Sequence, residues 1–219
     1  MAVPLGQEVV VKEVLPKEKM VKKKLLLVFC KNPQLGKVKT RLAKTIGNEK
    51  ALLIYHALLE KTARVLTQLD LDIHLYYSEV IPSHDYFTGI VTKKMKQEGV
   101  NLGQRMAHAF ERGFQSYETI VIIGTDLWTL EASDINEAFM ALEKNEAVVG
   151  PSLDGGYYLL GMKEFIPQLF VHKQWGTSTV LAHTLNDLKP YRHHLLKEKN
   201  DVDTITDLKE YPTLNAILL

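Results

Sequence analysis

The sequence predicts a single-domain α/β fold, with a mixed, mostly parallel sheet flanked by helices. Three features carry that expectation. Short apolar runs recur along the chain, amphipathic segments of helical period separate the early ones, and the first run ends in a basic, glycine-containing loop. Early strand–helix alternation favours parallel pairing, because a parallel pair needs a crossover long enough to hold a helix.

Residues 1–23 form an expected N-terminal extension that mixes apolar residues with Lys12, Glu13, Lys17, Glu18 and Lys19. It lacks the unbroken apolar core of a signal peptide. Residues 24–219 are the expected domain. Lys24–Phe29 is its first strand, built on the run Leu25-Leu26-Leu27-Val28-Phe29. A long helix is expected over Asn48–Leu69, where Leu52, Tyr55, Leu59, Ala63 and Leu66 repeat at helical spacing. Strands follow at Ile73–Ser78 and, more weakly, Val91–Gln97. A helix over Leu102–Gln115 then leads to the strand Thr119–Gly124. The helix Ser133–Lys144 has Ser133 or Asp134 as its expected cap. Ala147–Gly150 and Tyr157–Met162 are strands joined by Asp154-Gly155-Gly156, whose composition suits a hairpin reversal. Ser178–Leu188 is a further helix, His193–Leu196 a short strand and Thr206–Tyr211 a terminal helix. No repeat or linker interrupts this order.

Bulk composition excludes several classes. The 219 residues carry 27 basic and 26 acidic side chains, a net charge of +1, so no nucleic-acid partner is expected and any basic site is local. Cys30 is the single cysteine, which excludes an internal disulfide framework and a multi-cysteine metal site. No apolar run approaches the roughly 20 residues of a membrane span, and a cytoplasmic enzyme is the expectation. Nothing in the pattern sets an oligomeric state.

The loop after the first strand offers the first candidate site. Lys31, Gly36, Lys37, Lys39 and Arg41 combine a turn residue with four cations able to receive phosphate. On extended backbone Lys37, Lys39 and Arg41 would point to one side. The loop is not a Walker A loop: Val38 follows Gly36-Lys37 where Ser or Thr is required, and Lys31 stands where the upstream glycine should be. A solvated basic turn is the plainer alternative. The second candidate is Asp126, delivered at the end of the apolar run Val121-Ile122-Ile123, where open α/β sheets place ligands. A carboxylate there suits Mg2+ or Mn2+, and equally a turn. Asp203, in Asp201-Val202-Asp203-Thr204, is a candidate second metal ligand, or with Thr204 a helix cap. Gly155 and Gly156 would let a ligand approach backbone, unless they serve only the hairpin. Trp175 could stack on a base or sugar or pack in the core, and Thr177 or Ser178 could cap a helix. Cys30 is expected to be a small buried residue without a catalytic role.

Taken together, six ordered blocks resemble a known family. They are Phe29-Cys30-Lys31-Asn32-Pro33 with Gly36-Lys37-Val38-Lys39-Thr40-Arg41-Leu42; Asn101-Leu102-Gly103-Gln104-Arg105-Met106; Ile123-Gly124-Thr125-Asp126; Gly150-Pro151 through Asp154-Gly155-Gly156-Tyr157-Tyr158-Leu159-Leu160-Gly161; Trp175-Gly176-Thr177; and Asp201-Val202-Asp203-Thr204. They are similar to a bacterial glycosyltransferase/nucleotidyltransferase family of the nucleotide-diphospho-sugar transferase (GT-A) superfamily. Its nearer relatives include phospholactate and molybdenum-cofactor guanylyltransferases. The resemblance spans about Lys24 to Leu208 and implies a GT-A, Rossmann-like fold. It further implies a nucleotide site at Lys31, Gly36, Lys37, Lys39, Arg41, Gly103 and Arg105, with Lys37, Arg41 and Asp126 in catalysis. Asp126 and Asp203 would hold Mg2+ or Mn2+, and Asp154, Gly155, Gly156, Trp175 and Thr177 would meet the acceptor. Thr125 stands where that family usually has Ser, and Trp128 where Pro is common.

The reaction expected from these features is metal-dependent nucleotidyl transfer from a nucleoside triphosphate to a phosphorylated small-molecule acceptor, with release of pyrophosphate. Lys37, Lys39 and Arg41 exceed what a sugar diphosphate needs. Glycosyl transfer from a nucleotide sugar is the alternative, and a nucleotide-binding accessory protein without turnover is a third.

Overall fold

The computed structural model describes residues 23–218; apart from Lys23, the expected N-terminal extension lies outside them. Strand β1 (Lys24–Cys30) leads through a turn into α1 (Thr40–Ile46) and α2 (Asn48–Leu66). Then come β2 (Asp72–Tyr77), β3 (Lys93–Lys96), α3 (Leu102–Phe114), β4 (Thr119–Ile123) and α4 (Ala132–Lys144). The chain continues through β5 (Ala147–Pro151), β6 (Tyr157–Met162), a 3-10 turn (Pro167–Phe170), α5 (Val180–Asp187) and β7 (His193–Leu195). It closes with α6 (Ile205–Lys209), α7 (Pro212–Asn215) and a last 3-10 turn (Ala216–Leu218).

The strands form one seven-stranded sheet in the order β3-β2-β1-β4-β6-β5-β7. β1 is its axis. Leu25 lies opposite Asp72 on one side and Ile120 on the other, both pairings parallel. Being flanked on both sides and covered on both faces, β1 is apolar in consecutive residues instead of alternating ones. β6 runs antiparallel to β4 and β5, so the β5–β6 reversal is the expected hairpin. β3 is the opposite case, an edge strand reading Lys-Lys-Met-Lys, and its charges discourage pairing with another chain.

Alternate residues of β1 feed two cores. Leu26, Val28 and Cys30 pack with α2, α4, α6 and α7, including Ile54, Leu58, Phe139, Leu208 and Leu214. Leu25 and Leu27 pack with α3, the 167–170 turn and the end of α5, including Met106, Phe110, Phe170 and Leu188. Helices therefore cover both faces, and the carboxyl ends of β1 and β4 emerge at one edge between them.

Several boundaries differ from expectation. α1 has no counterpart in the sequence pattern. Glu131, and neither Ser133 nor Asp134, is the N-cap of α4; Asp134 is its N3 partner in a capping box. α5 starts at Val180 behind Thr179, so neither Thr177 nor Ser178 caps it. The terminal helix divides at Tyr211, where Pro212 opens a new turn. Thr204 does cap α6, accepting from the Asp207 N–H at 3.3 Å.

Candidate active site

β1 pairs with β2 on one side and β4 on the other, so the chain leaves these two strand ends in opposite directions and opens a crevice. The crevice is a cavity of about 430 Å³, lined from the β1 exit by Phe29, Cys30 and Lys31 and from the β4 exit by Gly124 and Asp126.

The β1 exit is held by side chains distant in sequence. The Tyr55 hydroxyl of α2 accepts from the Lys31 N–H at 2.9 Å and lies 3.0 Å from the Lys31 carbonyl and 3.3 Å from Thr125 Oγ1. Asn32 Oδ1 accepts from the N–H groups of Glu79 at 2.9 Å and Val80 at 3.2 Å. Lys31 is thus exposed on a fixed backbone beside the cavity. Gln97, which the sequence pattern did not single out, also lines the wall; its amide nitrogen donates to the carbonyls of Cys30 and Tyr76. Burial pushes the Cys30 thiol up to about 12, so little thiolate exists near neutrality. A thiol reagent at about pH 8 is expected to label the denatured chain and leave the native one unmodified; rapid native labelling, followed by mass spectrometry, would contradict this.

The basic loop does not present three cations on one extended face. Gln34 accepts from the Lys37 N–H in a turn, Lys39 adopts a left-handed conformation at φ 47°, and Arg41 already lies in α1. The three side chains therefore part. Lys37 is exposed and pairs with Glu79 at 3.6 Å. Arg41 is exposed with its guanidinium 3.7 Å from Asp203. Lys39 turns inward with a side chain only 2% exposed, and its ammonium contacts Asp126 Oδ1 and sits 3.1 Å from Asp203 Oδ1.

Backbone contacts explain why the two carboxylates meet. The Val202 N–H donates to the Asp126 carbonyl at 3.1 Å, which ties the 201–203 segment to the β4 exit. Asp207 Oδ2 accepts from the Asp203 N–H at 3.1 Å and the Thr204 N–H at 2.7 Å, setting the orientation of Asp203. Burial alone would raise the Asp126 carboxyl, but the Lys39 ammonium, with help from Lys31, holds it below the ordinary range. Burial works in the opposite sense on Lys39, yet Asp126 and Asp203 hold its ammonium above the usual lysine value. Asp201, named in the sequence motif without a role of its own, lines the cavity; burial, reinforced by Asp126, Asp154 and Asp203 and opposed by Lys39, raises it to about 7.

The remaining wall comes from the β5–β6 hairpin and the segment before α5: Asp154, Gly156, Tyr157, Trp175 and Thr177. Trp175 packs on the start of α3. A Cβ at Gly103 would lie 2.6 Å from Trp175 Cε2 and 2.5 Å from the Phe170 carbonyl oxygen, so Gly103 serves that approach and does not line the cavity. Arg105, two residues on, lines it and donates through Nε to the Gly99 carbonyl at 3.0 Å.

Of the expected site residues, then, Lys31, Arg105, Asp126, Asp154, Gly156, Trp175 and Thr177 line one cavity. Lys39, Arg41 and Asp203 join it through the charge cluster on Asp126. Gly36 and Lys37 occupy the outer turn, and Gly155 lies behind the hairpin against Ser178. No group of three or more His, Cys, Asp or Glu side chains suited to a metal occurs among the described residues. The pair Asp126 and Asp203 nevertheless fits Mg2+ or Mn2+. Their oxygens converge on one cation position, and such ions commonly take one or two carboxylates together with phosphate and water. No helix among the described residues is long and apolar enough to cross a membrane.

A bacterial family described as "Uncharacterized protein conserved in bacteria (DUF2064)" matches residues 61–177. A solved structure from Desulfovibrio desulfuricans G20, provisionally named a nucleotide-diphospho-sugar transferase, is 29% identical, with 90% of this chain and 94% of that one covered and a TM-score of 0.81. Two more distant structures share the fold. The 4-diphosphocytidyl-2C-methyl-D-erythritol synthase of Anaerococcus prevotii DSM 20548 is 12% identical, with 90% and 96% covered and a TM-score of 0.55. The inositol-1-phosphate CTP transferase of T. maritima is 14% identical, with 90% and 97% covered and a TM-score of 0.54. No curated protein matches. The fold is thus that of nucleotide-diphospho-sugar and nucleotidyl transferases.

Proposed function

The chain belongs to this bacterial family, DUF2064, and on that footing we propose that it is a transferase moving a nucleotidyl group from a nucleoside triphosphate to a small-molecule oxygen, with release of pyrophosphate. The observation that carries the proposal is the Lys39–Asp126–Asp203 cluster at the β4 exit, with Arg41 and Lys31 beside it. It joins phosphate-binding cations to a cation-binding carboxylate pair at one point of the crevice. The cytidylyl-transferring neighbours support the same reaction class.

Phosphoryl transfer asks a protein mainly for positioning and charge. Arg41, beside Asp203, and Lys31, which acts on Asp126, would bind phosphate oxygens, and Arg105 offers a third cation on the α3 side. Asp126 and Asp203 would hold Mg2+ or Mn2+, which when bound neutralises charge on the phosphates. Asp154 accepts from the Gly156 N–H through Oδ1 at 2.9 Å, and its other oxygen can receive an acceptor hydroxyl. The same cavity lining holds Asp201, and Lys31 and Arg105 as its cations. A hydroxyl nucleophile suits the free Asp154 oxygen, and a phosphate carried elsewhere on the acceptor, as expected from sequence, would find Arg105 on the same cavity lining. Trp175 in the cavity favours one second reading, glycosyl transfer from a nucleotide sugar, since an aromatic face suits a sugar ring.

Product analysis tests the proposal. Each nucleoside triphosphate with Mg2+ is incubated with the protein and a panel of hydroxyl and phosphate acceptors. Acceptor-dependent pyrophosphate is expected. Nucleoside diphosphate released only from nucleotide sugars would replace the proposal with glycosyl transfer, and binding without any product would leave an accessory role.

A further inference from the structure

We propose that Lys39 is a resident counter-cation, filling the divalent-metal position between Asp126 and Asp203 until a nucleotide polyphosphate draws its ammonium away. Metal and nucleotide then bind as one coupled event. The inference deepens the nucleotidyl-transfer reading and rests on it. The Lys39 ammonium contacts both carboxylates from a side chain 2% exposed, whereas Arg41 reaches only Asp203 from an exposed position. A divalent ion arriving while Lys39 is in place meets a positive charge at ligand distance, so the free protein has little affinity for metal alone. Removing Lys39 without a replacement leaves two carboxylates facing each other, so the lysine does not leave by itself. A polyphosphate resolves both problems: its oxygens take the ammonium, and the carboxylates are released to the metal. Lys39 is suited to the exchange, being a compact charge on a flexible four-carbon stem, anchored at the residue before α1. Linkage requires that nucleotide tighten metal binding and metal tighten nucleotide binding by one factor.

The test uses Mn2+ alone, titrated into the full chain and followed by the paramagnetic resonance of the free ion. Wild type is expected to bind Mn2+ weakly and Lys39→Met to bind it at least about tenfold tighter, within the usual span of coupling factors. Inorganic tripolyphosphate should raise Mn2+ affinity in wild type, after allowance for the Mn2+–tripolyphosphate complex, by a clearly larger factor than in the variant, which keeps only the direct attraction between metal and phosphate. If Lys39→Met does not fold, Lys39→Gln keeps hydrogen-bond donors for both carboxylates and is read in the same way. Equal Mn2+ affinity in wild type and variant would overturn the counter-cation role. If Asp126→Asn also left Mn2+–nucleotide binding unchanged, the metal-dependent reading itself would fall; if Asp126 proved necessary, only the role of Lys39 would.

Discussion

Asp126→Asn is expected to remove metal-dependent nucleotide affinity and to lower turnover by about 10²–10³-fold, the scale on which deletion of one preorganised electrostatic group acts in transfer reactions. The substitution keeps the shape of the side chain and removes its charge, so the loss reports electrostatics and not packing. Breaking a fully buried ion pair costs about 3–5 kcal/mol. The cost here is smaller, because Lys39 retains Asp203 at 3.1 Å and Asp126 is itself 38% exposed. The variant should therefore fold, with a stability loss of about 1–2 kcal/mol. Calorimetric titration of nucleotide with Mg2+ and with chelator, on wild type and variant, measures the difference. A variant that still gains affinity from Mg2+ would remove Asp126 from the metal site.

The residues of this cluster differ in how far the sequence discloses them. Asp126 is legible because a strand of consecutive apolar residues must end somewhere, and the first carboxylate past its end lies at the sheet's carboxyl edge. β1, β4, β5 and β6 are legible for a related reason: burial on both faces writes nearly unbroken apolar runs, and the hairpin glycines announce the reversal into β6, whereas the edge strands β3 (Lys-Lys-Met-Lys) and β7 (His-His-Leu) carry no such run. α1 is not legible. It has seven residues, Thr-Arg-Leu-Ala-Lys-Thr-Ile, no side-chain cap and one buried side chain, Leu42, so no helical period can accumulate. The inward turn of Lys39 is hidden more deeply. A lysine at positive φ is disfavoured locally, and the partners that hold it there include Asp203, 164 residues away. Local pattern therefore assigns Lys39 to the same solvated face as Lys37, while long-range charge pairing separates them. The role of Asp201 is hidden in the same way, since Asp126, Lys39 and Asp154, which shape its environment, lie on distant segments. Trp175 marks the limit of a division into nucleotide and acceptor halves: it lines the cavity with the acceptor candidates yet packs against Gly103 at the start of α3.

Gly155→Ala is expected to destabilise the protein by about 3 kcal/mol, from left-handed strain of about 1–2 kcal/mol and overpacking of a similar size. Gly155 has φ +85°, and a Cβ there would lie 2.6 Å from Ser178 Cα and 2.7 Å from its carbonyl carbon. Those neighbours are backbone and cannot rotate away. The residue also joins two walls of the cavity: its N–H donates to the Ser152 carbonyl at 3.0 Å, and its carbonyl accepts from the Leu181 N–H at 2.8 Å. Relieving the clash must separate the hairpin bearing Asp154 from the segment bearing Trp175 and Thr177. For a chain of this size the loss corresponds to a fall in Tm of about 6–12 °C. Acceptor-dependent turnover should fall further than nucleotide binding, because Lys39, Asp126 and Asp203 are fixed from the β4 exit and the 201–207 segment. Gly156→Ala is the matched control. Its φ is not positive, and its new Cβ would meet only the Asp154 carboxylate, at 3.2 Å, which can move. That variant should lose less than about 1 kcal/mol. Equal melting temperatures for the two variants would show that the Gly155–Ser178 contact yields without cost, and would free the hairpin from its role in shaping the acceptor wall.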